Sequence, residues 1–374
     1  VIEHDVSRFV DMADRLVVLA DGRIAYNGPP REILADHGLA MRDQIGLRIP
    51  QATEFALEAR RKGYRLETLP LTIDDIQVES FRFQQLPTPP AERMAFPSTE
   101  REVIIEVKDL SFAYPGGPEV LKNITMDVCR GEILAIIGRN GSGKTTLTSL
   151  FIGLNKPASG SVMVCGMDVS QASIRELSEE VSYVFQYPEH QFITDSVLEE
   201  MLFGLKRQSL SPEEANRRAM EMLEMFQLHQ VKDRHPFALS RGQKRRLSVA
   251  SMLVLRPEVF ILDEPTTGQD QRNVNQVMEF LQKLNQQGLT IILVTHDMEL
   301  VAQYAHRVLV LDEGQVVFEG TPWQLFGEEL IDRQHYGLII PDIIELYRRV
   351  RNRYPNVAPV TSPRELAGLL IEEK

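Results

Sequence analysis

A glycine-rich loop is the most specific chemical pattern in the sequence. The stretch "GRNGSGKTT" fits G-x-x-x-x-G-K-[ST] and lies between the apolar run "ILAIIG" and the helical stretch "TTLTSLFIGL". Glycines let successive backbone N–H groups point at one anion, and the N-terminus of the following helix adds its positive dipole end. The pattern predicts a phosphate-binding loop in which Lys144 reaches the β- and γ-phosphates of a nucleotide and Thr145 offers its hydroxyl to Mg²⁺. The residues of this loop predicted to bind the nucleotide are Gly138, Arg139, Asn140, Gly141, Ser142, Gly143, Lys144, Thr145 and Thr146.

Two adjacent carboxylates follow a second apolar run. They are Asp263 and Glu264 in "VFILDEP", and ligands of open α/β sheets bind outside the carboxyl ends of the strands, so both acids are expected to face the same crevice as the loop. Asp263 is predicted to be an outer-shell partner of Mg²⁺, and Glu264 to orient, or accept a proton from, the water that attacks the γ-phosphate. Two adjacent acids alone are typical of a solvated strand end, but the apolar run and the matching loop favour the catalytic interpretation.

The order of apolar runs and helical stretches indicates the elements that position these residues. Two strand-like runs with turns, "VIIEVKDLSFAYPGG" and "VLKNITMDVCRGE", precede the loop, and beyond it apolar runs alternate with amphipathic stretches. The run "ILAIIG" is typical of a fully buried parallel strand. The sequence therefore predicts an α/β fold whose sheet is covered by helices.

Composition restricts the possible function classes. The chain has 374 residues, 43% of them hydrophobic, which is enough for one large core or two ordinary ones. Its formal charge of −12 argues against binding to nucleic acid, because clustered Lys and Arg supply that affinity. The longest apolar runs fall far short of the roughly 20 residues that span a bilayer, so any membrane role is expected to be peripheral. The two cysteines, Cys129 and Cys165, lack metal-ligand spacing and indicate a reducing, cytosolic setting.

The sequence contains an internal repeat. Residues 1–34 match residues 293–326 without a gap, and this match aligns His4 with His296. The match continues further along the chain, where "GLRIP" in the first copy corresponds to "GLIIP" in the second, and each is followed by a helical stretch. Residues 1–78 are therefore predicted to be the C-terminal tail of a first, truncated module.

A proline-rich stretch separates that tail from the rest of the chain. The stretch "ESFRFQQLPTPPAERMAFPSTE" contains prolines that fix their own backbone and disfavour helix in the preceding residues. The sequence therefore predicts four segments: the first tail at 1–78, a Pro-rich linker at 79–101, a complete module at 102–326, and a C-terminal helical tail at 327–374 that repeats residues 36–78.

The stretch "ALSRGQKRRLSVASMLVLRPEVFILDEPTTGQD" carries a family resemblance. Its Ser-x-Gly-Gln element, shortly before the carboxylate strand, resembles the signature of ABC-type ATPases. Ser240 and Gln243 also form an S-x-x-Q capping box that opens a helix, and Arg241 stands where the common Leu-Ser-Gly-Gly-Gln has glycine. The resemblance implies a P-loop NTPase core of the ABC ATPase type, with an antiparallel β subdomain and a small helical subdomain.

The resemblance also implies roles for individual residues. Tyr114 in "SFAYPGG" matches the aromatic that stacks on adenine, and Gln186 in "YVFQYPEHQ" matches the glutamine that senses Mg²⁺ and the membrane subunit. His296 matches the switch histidine near the γ-phosphate, and His4 matches the same histidine of the truncated first module. The implied catalytic set is Glu264, His296 and Gln186; the implied metal set is Thr145, Gln186 and Asp263; and the implied signature and dimer contacts are Ser240, Arg241, Gly242, Gln243 and Asp270.

The spacing of these motifs favours a transporter subunit. The interval between Gln186 and Ser240 suits a compact helical subdomain and leaves no room for the long coiled coil of chromosome-maintenance ATPases. The stretches "FQYPEHQF" and "EPTTGQD", the paired tails and the tandem arrangement resemble the ATPase components of energy-coupling-factor importers for vitamins or transition-metal ions. The alternatives are a soluble ABC ATPase acting on ribosomes or nucleic acid, and an ATP-binding scaffold without hydrolysis.

The resemblance implies a set of cofactors and partners as well. ATP and Mg²⁺ are the expected cofactors. An integral-membrane transporter subunit is the expected partner, together with a second ABC ATPase module from the same full-length chain or a homodimer, and no nucleic acid is expected. Such a subunit would lie peripherally on the cytoplasmic face of the cell membrane.

Overall fold

The computed structural model describes residues 2–3, 5–20, 22–85, 102–267, 269–327, 332 and 335–372. The strands of this part of the chain are β1 Leu16–Ala20, β2 Arg23–Gly28, β3 Val103–Ala113, β4 Glu119–Cys129, β5 Ile133–Ile137, β6 Ser159–Val164, β7 Met167–Asp168, β8 Val181–Val184, β9 Val259–Asp263, β10 Thr290–Val294, β11 Arg307–Asp312 and β12 Gln315–Gly320. The α-helices are α1 Pro30–Ala40, α2 Gln51–Arg61, α3 Lys144–Phe151, α4 Ile174–Glu180, α5 Val197–Leu205, α6 Pro212–Met225, α7 Arg241–Leu253, α8 Gln271–Asn285, α9 Met298–Tyr304, α10 Pro322–Gly327, α11 Asp342–Arg353 and α12 Pro363–Gly368.

A six-stranded sheet with the order β12-β11-β5-β10-β9-β8 forms the centre of the fold. Five of its strands run parallel, and β12 is the antiparallel edge partner of β11. Every residue of β5, β9 and β10 is buried, as expected for strands covered on both faces. The predicted α/β fold is confirmed, and the carboxyl ends of these three strands meet at one edge of the sheet.

A second sheet and a group of helices flank this centre. The antiparallel sheet β4-β3-β6-β7 packs Ile105 and Leu121 against Ile136 of β5 and Leu147 of α3. On the other side, α5, α6 and α7 share a buried cluster with α8 that includes Leu223. These parts correspond to the antiparallel β subdomain and the small helical subdomain that the resemblance implies.

The segments that precede and follow this core pack against each other. Phe55 of α2 lies in one buried cluster with Tyr347 of α11 and Leu366 of α12. Residues 79–85, the first part of the predicted linker, run beside the C-terminal end, where the Gln84 backbone N–H donates to the carbonyl of residue 369 at 2.8 Å. The rest of that linker, and His4, lie outside the described residues.

The short helix α1 continues into a π-helical turn at Met41–Ile45, which ends at Gly46. Gly46 has a φ of +85°, in the left-handed region that favours glycine. The turn directs the following residues of the first tail towards the N-terminal end of α8, where the Gln271 N–H donates to the Gly46 carbonyl at 3.1 Å.

Among the described helices, none is long and apolar enough to cross a membrane.

Candidate nucleotide-binding site

The glycine-rich loop joins β5 to α3 at the carboxyl edge of the sheet. A Cβ atom on Gly138, whose φ is +143°, would lie 2.0 Å from the carbonyl oxygen of Leu311. A Cβ atom on Gly143, whose φ is +101°, would lie 2.7 Å from a methyl carbon of Leu121. Only glycine fits these two positions, so close packing against the neighbouring strands fixes the path of the loop.

Lys144 lies buried inside this loop. Its Nζ donates to the carbonyl oxygens of Gly138 and Arg139, both at 2.9 Å. Burial lowers the pKa of Lys144, and the carboxylates of Glu264 and Asp263 oppose this effect. The ammonium group is held by neutral carbonyls, and an anion would be a stronger partner for it.

Further observations fit a nucleotide phosphate with its magnesium ion. Ser142 Oγ is buried and has no hydrogen-bond partner among the described residues. Thr145 Oγ1 donates to Asp263 Oδ2 at 3.1 Å, which brings together a hydroxyl and a carboxylate, the oxygen ligands that Mg²⁺ prefers. In the described part of the chain, no cluster of three or more His, Cys, Asp or Glu side chains could hold a metal alone. Phosphate oxygens and water, which Mg²⁺ commonly keeps as ligands, would complete the coordination of an ion at Thr145.

Asp263 ends β9 and is held by a residue that the sequence analysis did not identify. The hydroxyl of Tyr183, on the neighbouring strand β8, donates to Asp263 Oδ2 at 2.9 Å. Burial raises the pKa of Asp263, while the hydrogen bonds from Tyr183 and Thr145 favour its charged form. The available signal was a tyrosine in a short, fully buried strand, because a buried phenol hydroxyl requires a hydrogen-bond partner.

Glu264 and His296 form a second pair at the same edge. Glu264 has a φ of +48°, which is strained for a residue with a side chain, and its N–H donates to the carbonyl of Val294 at 2.8 Å. His296 Nδ1 lies 2.7 Å from Glu264 Oε2, and this contact raises the pKa of His296. The structure thus brings together the predicted base and the predicted switch histidine.

Arg245 of α7 is a second anchor that the sequence analysis missed. This buried arginine donates to the carbonyl of Phe185 at 2.6 Å and to the carbonyl of Asp263 at 3.1 Å. Burial lowers its pKa to about 10, although the nearby carboxylates of Asp263 and Glu264 oppose this shift. Arg245 ties the end of β9 to the segment that carries Gln186. The sequence did contain a signal for this role. Arg245 lies four positions before Val249, so the two residues share the apolar face of α7, where a charged residue is unusual.

Tyr114 and Gln186 take different positions around the loop. The Tyr114 hydroxyl lies 3.2 Å from Thr146 Oγ1, and its ring packs edge-on against Phe112 with the ring centroids 5.0 Å apart. Tyr114 is half exposed, so one part of its ring is open to a ligand. Gln186 is half-buried and follows β8, next to the Phe185 carbonyl that Arg245 holds.

The predicted signature opens α7 as a helix cap. The Gln243 N–H donates to Ser240 Oγ at 3.3 Å, and the Ser240 N–H donates to Gln243 Oε1 at 3.0 Å, while Ser240 and Arg241 are exposed. Asp270 caps α8 by accepting from the Asn273 N–H at 2.8 Å. A Cβ atom on Gly242 would lie 2.7 Å from the Asn273 carboxamide nitrogen. The signature and Asp270 therefore meet at Asn273, and they present an exposed helix N-terminus.

Comparisons with known proteins show which families and structures the chain resembles. A family model described as ABC transporter matches residues 121–267. The chain is 41% identical over 263 residues to a putative ABC transporter ATP-binding protein of Pyrococcus furiosus, covering 70% of this chain and 98% of that protein. It is 36% identical over 346 residues to a putative HMP/thiamine import ATP-binding protein of Bacillus subtilis, covering 92% of this chain and 60% of that protein.

A solved structure gives the corresponding comparison of folds. The cbiO1 protein from Clostridium perfringens, described as part of the ABC transporter complex cbiONQ, is 36% identical, with a TM-score of 0.57 over 66% of this chain and 99% of that chain. The chain spans between 55% and 64% of the length of the longer curated relatives it matches. The P-loop core that the sequence predicts is therefore confirmed.

Proposed function

Because the chain belongs to the ATP-binding proteins of ABC transporters, and carries an ABC ATPase domain, we propose that it binds and hydrolyses ATP to power a membrane importer. The observation that carries this proposal is the convergence of three groups at one edge of the sheet. They are the Lys144 loop, the Thr145–Asp263 pair and the Glu264–His296 pair.

The residues at this edge divide the chemistry between them. Lys144 and the N–H groups of the loop bind the phosphates, and Tyr114 offers its ring to the adenine. Thr145 and Asp263 would hold Mg²⁺, which neutralises phosphate charge when bound, and the family resemblance assigns Gln186 to the same ion. Glu264 orients the attacking water and accepts its proton, and His296 keeps the Glu264 carboxylate in position.

Dimer closure couples this chemistry to movement. In our proposal the signature of a second module covers the nucleotide at Lys144, and Ser240 to Gln243 of this chain cover the nucleotide of that module. The helix N-terminus behind Ser240 suits the charge of a γ-phosphate, and closure excludes water from the site. Asp270 would contribute a contact across the dimer. Hydrolysis removes the phosphate that bridges the modules and lets them reopen.

Two comparisons support an importer of the energy-coupling-factor type. The Bacillus subtilis relative is named for HMP/thiamine import, and the Clostridium perfringens neighbour is described as part of the cbiONQ complex. The proposed cargo is a vitamin or a transition-metal ion. The proposed partners are an integral-membrane subunit and a second ATPase module, with the chain peripheral on the cytoplasmic face of the membrane.

We further propose that the chain holds parts of two modules. Residues 1–78 would be the tail of a first ABC module, 79–101 a linker, 102–326 the ATPase domain and 327–374 its own tail. The repeated hairpins β1–β2 and β11–β12 support this division.

The substitution Glu264→Gln tests the proposed hydrolysis. It keeps the shape of the side chain and removes the base, so ATP binding should persist while steady-state phosphate release falls by about 10²- to 10⁴-fold. Glu258→Gln is the matched control, because Glu258 is an exposed acid just before β9, at the opposite end of that strand, where it pairs with Arg130. Normal hydrolysis by Glu264→Gln would exclude the assigned base.

Purification of the chain with its partners tests the proposed importer. Co-purification with ribosomes or nucleic acid instead of a membrane subunit would exclude that proposal.

A further inference from the structure

Arg48 reaches from the first tail into the ATPase domain. Its Nη2 donates to Asp297 Oδ2 at 2.7 Å, and its Nε donates to Gln271 Oε1 at 2.9 Å. Asp297 is the residue after His296, and Gln271 is the residue after Asp270. One guanidinium of the tail therefore holds the neighbours of two residues assigned to the ATPase cycle.

The backbone around Arg48 is also fixed against the ATPase domain. The Gly46 carbonyl accepts from the Gln271 N–H at 3.1 Å, and a Cβ atom on Gly46 would lie 3.0 Å from Asp270 Oδ1. The Arg48 side chain is only 20% exposed. This close approach aims Arg48 at Asp297, and a flexible surface arginine would have no such constraint.

The two copies of the repeat meet at Arg48. Asp5 aligns with Asp297 in the repeat, and it forms a parallel β-bridge with Arg48, whose Nη1 lies 4.0 Å from Asp5 Oδ2. The guanidinium thus lies between the aspartates of both His-Asp sequences. The second tail has Ile339 at the equivalent position, and that side chain is 79% exposed. We call the contacts of Arg48 with Asp297 and Gln271 the bridge between the first tail and the ATPase domain. At this position of the repeat, only the first tail supplies such an arginine.

Charge explains why this position needs an arginine. Besides Asp297 and Asp5, Glu299 Oε2 lies 3.7 Å from Arg48 Nε. Without the guanidinium, three carboxylates would face one another in a partly buried cleft, and each would disfavour the charged form of the others. Arginine presents five donors in a planar fork, so different nitrogen atoms can bond to Asp297 and Gln271 at fixed angles, whereas a lysine carries all its donors on one nitrogen.

We propose that Arg48 is a positioning residue through which the tail of the first module sets the His296 loop and the Asp270 end of α8 in the ATPase domain. Asp297 carries the coupling, because its Oδ1 accepts from the N–H groups of Glu299 and Leu300 at 3.1 and 3.3 Å while Arg48 holds its Oδ2. The effect on turnover rests on the proposed ATPase function, and the structural bridge does not.

The test compares Arg48→Ala with Arg42→Ala in the full chain. Arg42 is a matched control because it is similarly buried in the same tail but pairs with Glu54 and Glu58, which also belong to the tail. Arg48→Ala should lower kcat for ATP hydrolysis about tenfold, within the usual range of coupling between sites, and leave KM for ATP close to wild type. Arg42→Ala should lower the melting temperature and leave kcat unchanged.

Hydrogen exchange provides a readout that does not depend on activity. The amides of Glu299 and Leu300 should exchange faster in Arg48→Ala than in Arg42→Ala. Arg48→Lys should restore part of kcat, since it keeps the charge and can reach one partner. If Arg48→Ala does not fold, Gln271→Leu can replace it, because it removes one partner of Arg48 without removing a charge. We expect it to lower kcat and to speed amide exchange at Glu299 and Leu300 by less than Arg48→Ala would.

The possible results separate the two proposals. A wild-type chain that binds ATP without hydrolysing it would overturn the proposed function, while the exchange rates would still test the bridge. Unchanged exchange at Glu299 and Leu300, or an equal loss of kcat in Arg42→Ala, would overturn the role of Arg48. Faster exchange with an unchanged kcat would overturn the coupling to hydrolysis.

Discussion

The two copies of the repeat fold into the same hairpin. The strands β1 and β2 pair as the strands β11 and β12 do, and the register shifts at the equivalent place in each copy, between Val18 and Leu19 and between Val310 and Leu311. Register in a hairpin follows from the turn and the adjacent sequence. Pairing is therefore a local property of the repeated sequence.

The copies differ in what covers the hairpin. Leu309 and Leu311 are 1% and 0% exposed, whereas the equivalent Val17 and Leu19 are 47% and 66% exposed. In the second copy this face packs in the core with β5 and α3. The opposite face is buried in both copies, as Val18 at 3% exposure shows for the first. The copies therefore differ at one face: the ATPase core covers the face of the second hairpin that carries Leu309 and Leu311, whereas the described residues leave the equivalent face of the first hairpin exposed.

The repeated histidines allow the strongest test of this comparison. His296→Ala should lower steady-state ATP hydrolysis by about 10²- to 10⁴-fold, because it removes the side chain that lies 2.7 Å from Glu264. His4→Ala should leave the rate of this chain close to wild type, because in our proposal the phosphate loop of its module lies outside the chain. Phosphate release at saturating ATP measures both effects. Equal losses from the two substitutions would contradict the assignment of one working site to the second copy.

The sequence predicts the reacting groups of this site more completely than the groups that hold them. Lys144, Asp263 and Glu264 lie in contiguous motifs at the ends of apolar strands, and sheet topology alone brings such ends together. Tyr183 and Arg245 act on Asp263 through strand order and helix packing, which no local pattern specifies. The same holds for Arg48, whose partner Asp297 lies 249 residues further along the chain.

The exposed face of the first hairpin gives the second test. Leu311→Ala should destabilise the protein by about 2–5 kcal/mol, the usual cost of removing a buried leucine side chain. Leu19→Ala should cost less than about 0.5 kcal/mol, as an exposed position does. Urea denaturation followed by circular dichroism measures the free energy of unfolding of each variant. Equal costs in this chain would contradict the difference between the copies.

The costs of Leu19→Ala and Leu311→Ala can also be compared in a longer protein that contains a full first module. If a full first module is joined to residue 1, its core should cover the β1–β2 hairpin, and Leu19→Ala should then become about as costly as Leu311→Ala. Val18→Ala is the control, because Val18 is already buried against the tail and its cost should change little between the two proteins. A cost of Leu19→Ala that stays near zero in the longer protein would show that no such core packs on this face.

The smallest expected effect is the titration of His296 in the second copy. The contact with Glu264 raises the pKa of His296 above 6.5, and Glu264→Gln should return it towards that value. Because the folded-state pKa is raised, the stability from this pair is fully present below pH 6.5 and is lost as the pH rises through the raised pKa. Histidine NMR titration measures the change, with His306 as the control, since burial lowers the pKa of His306 at the opposite end of β5. A pKa of His296 that is the same with and without the Glu264 carboxylate would show that the two side chains are not paired in solution.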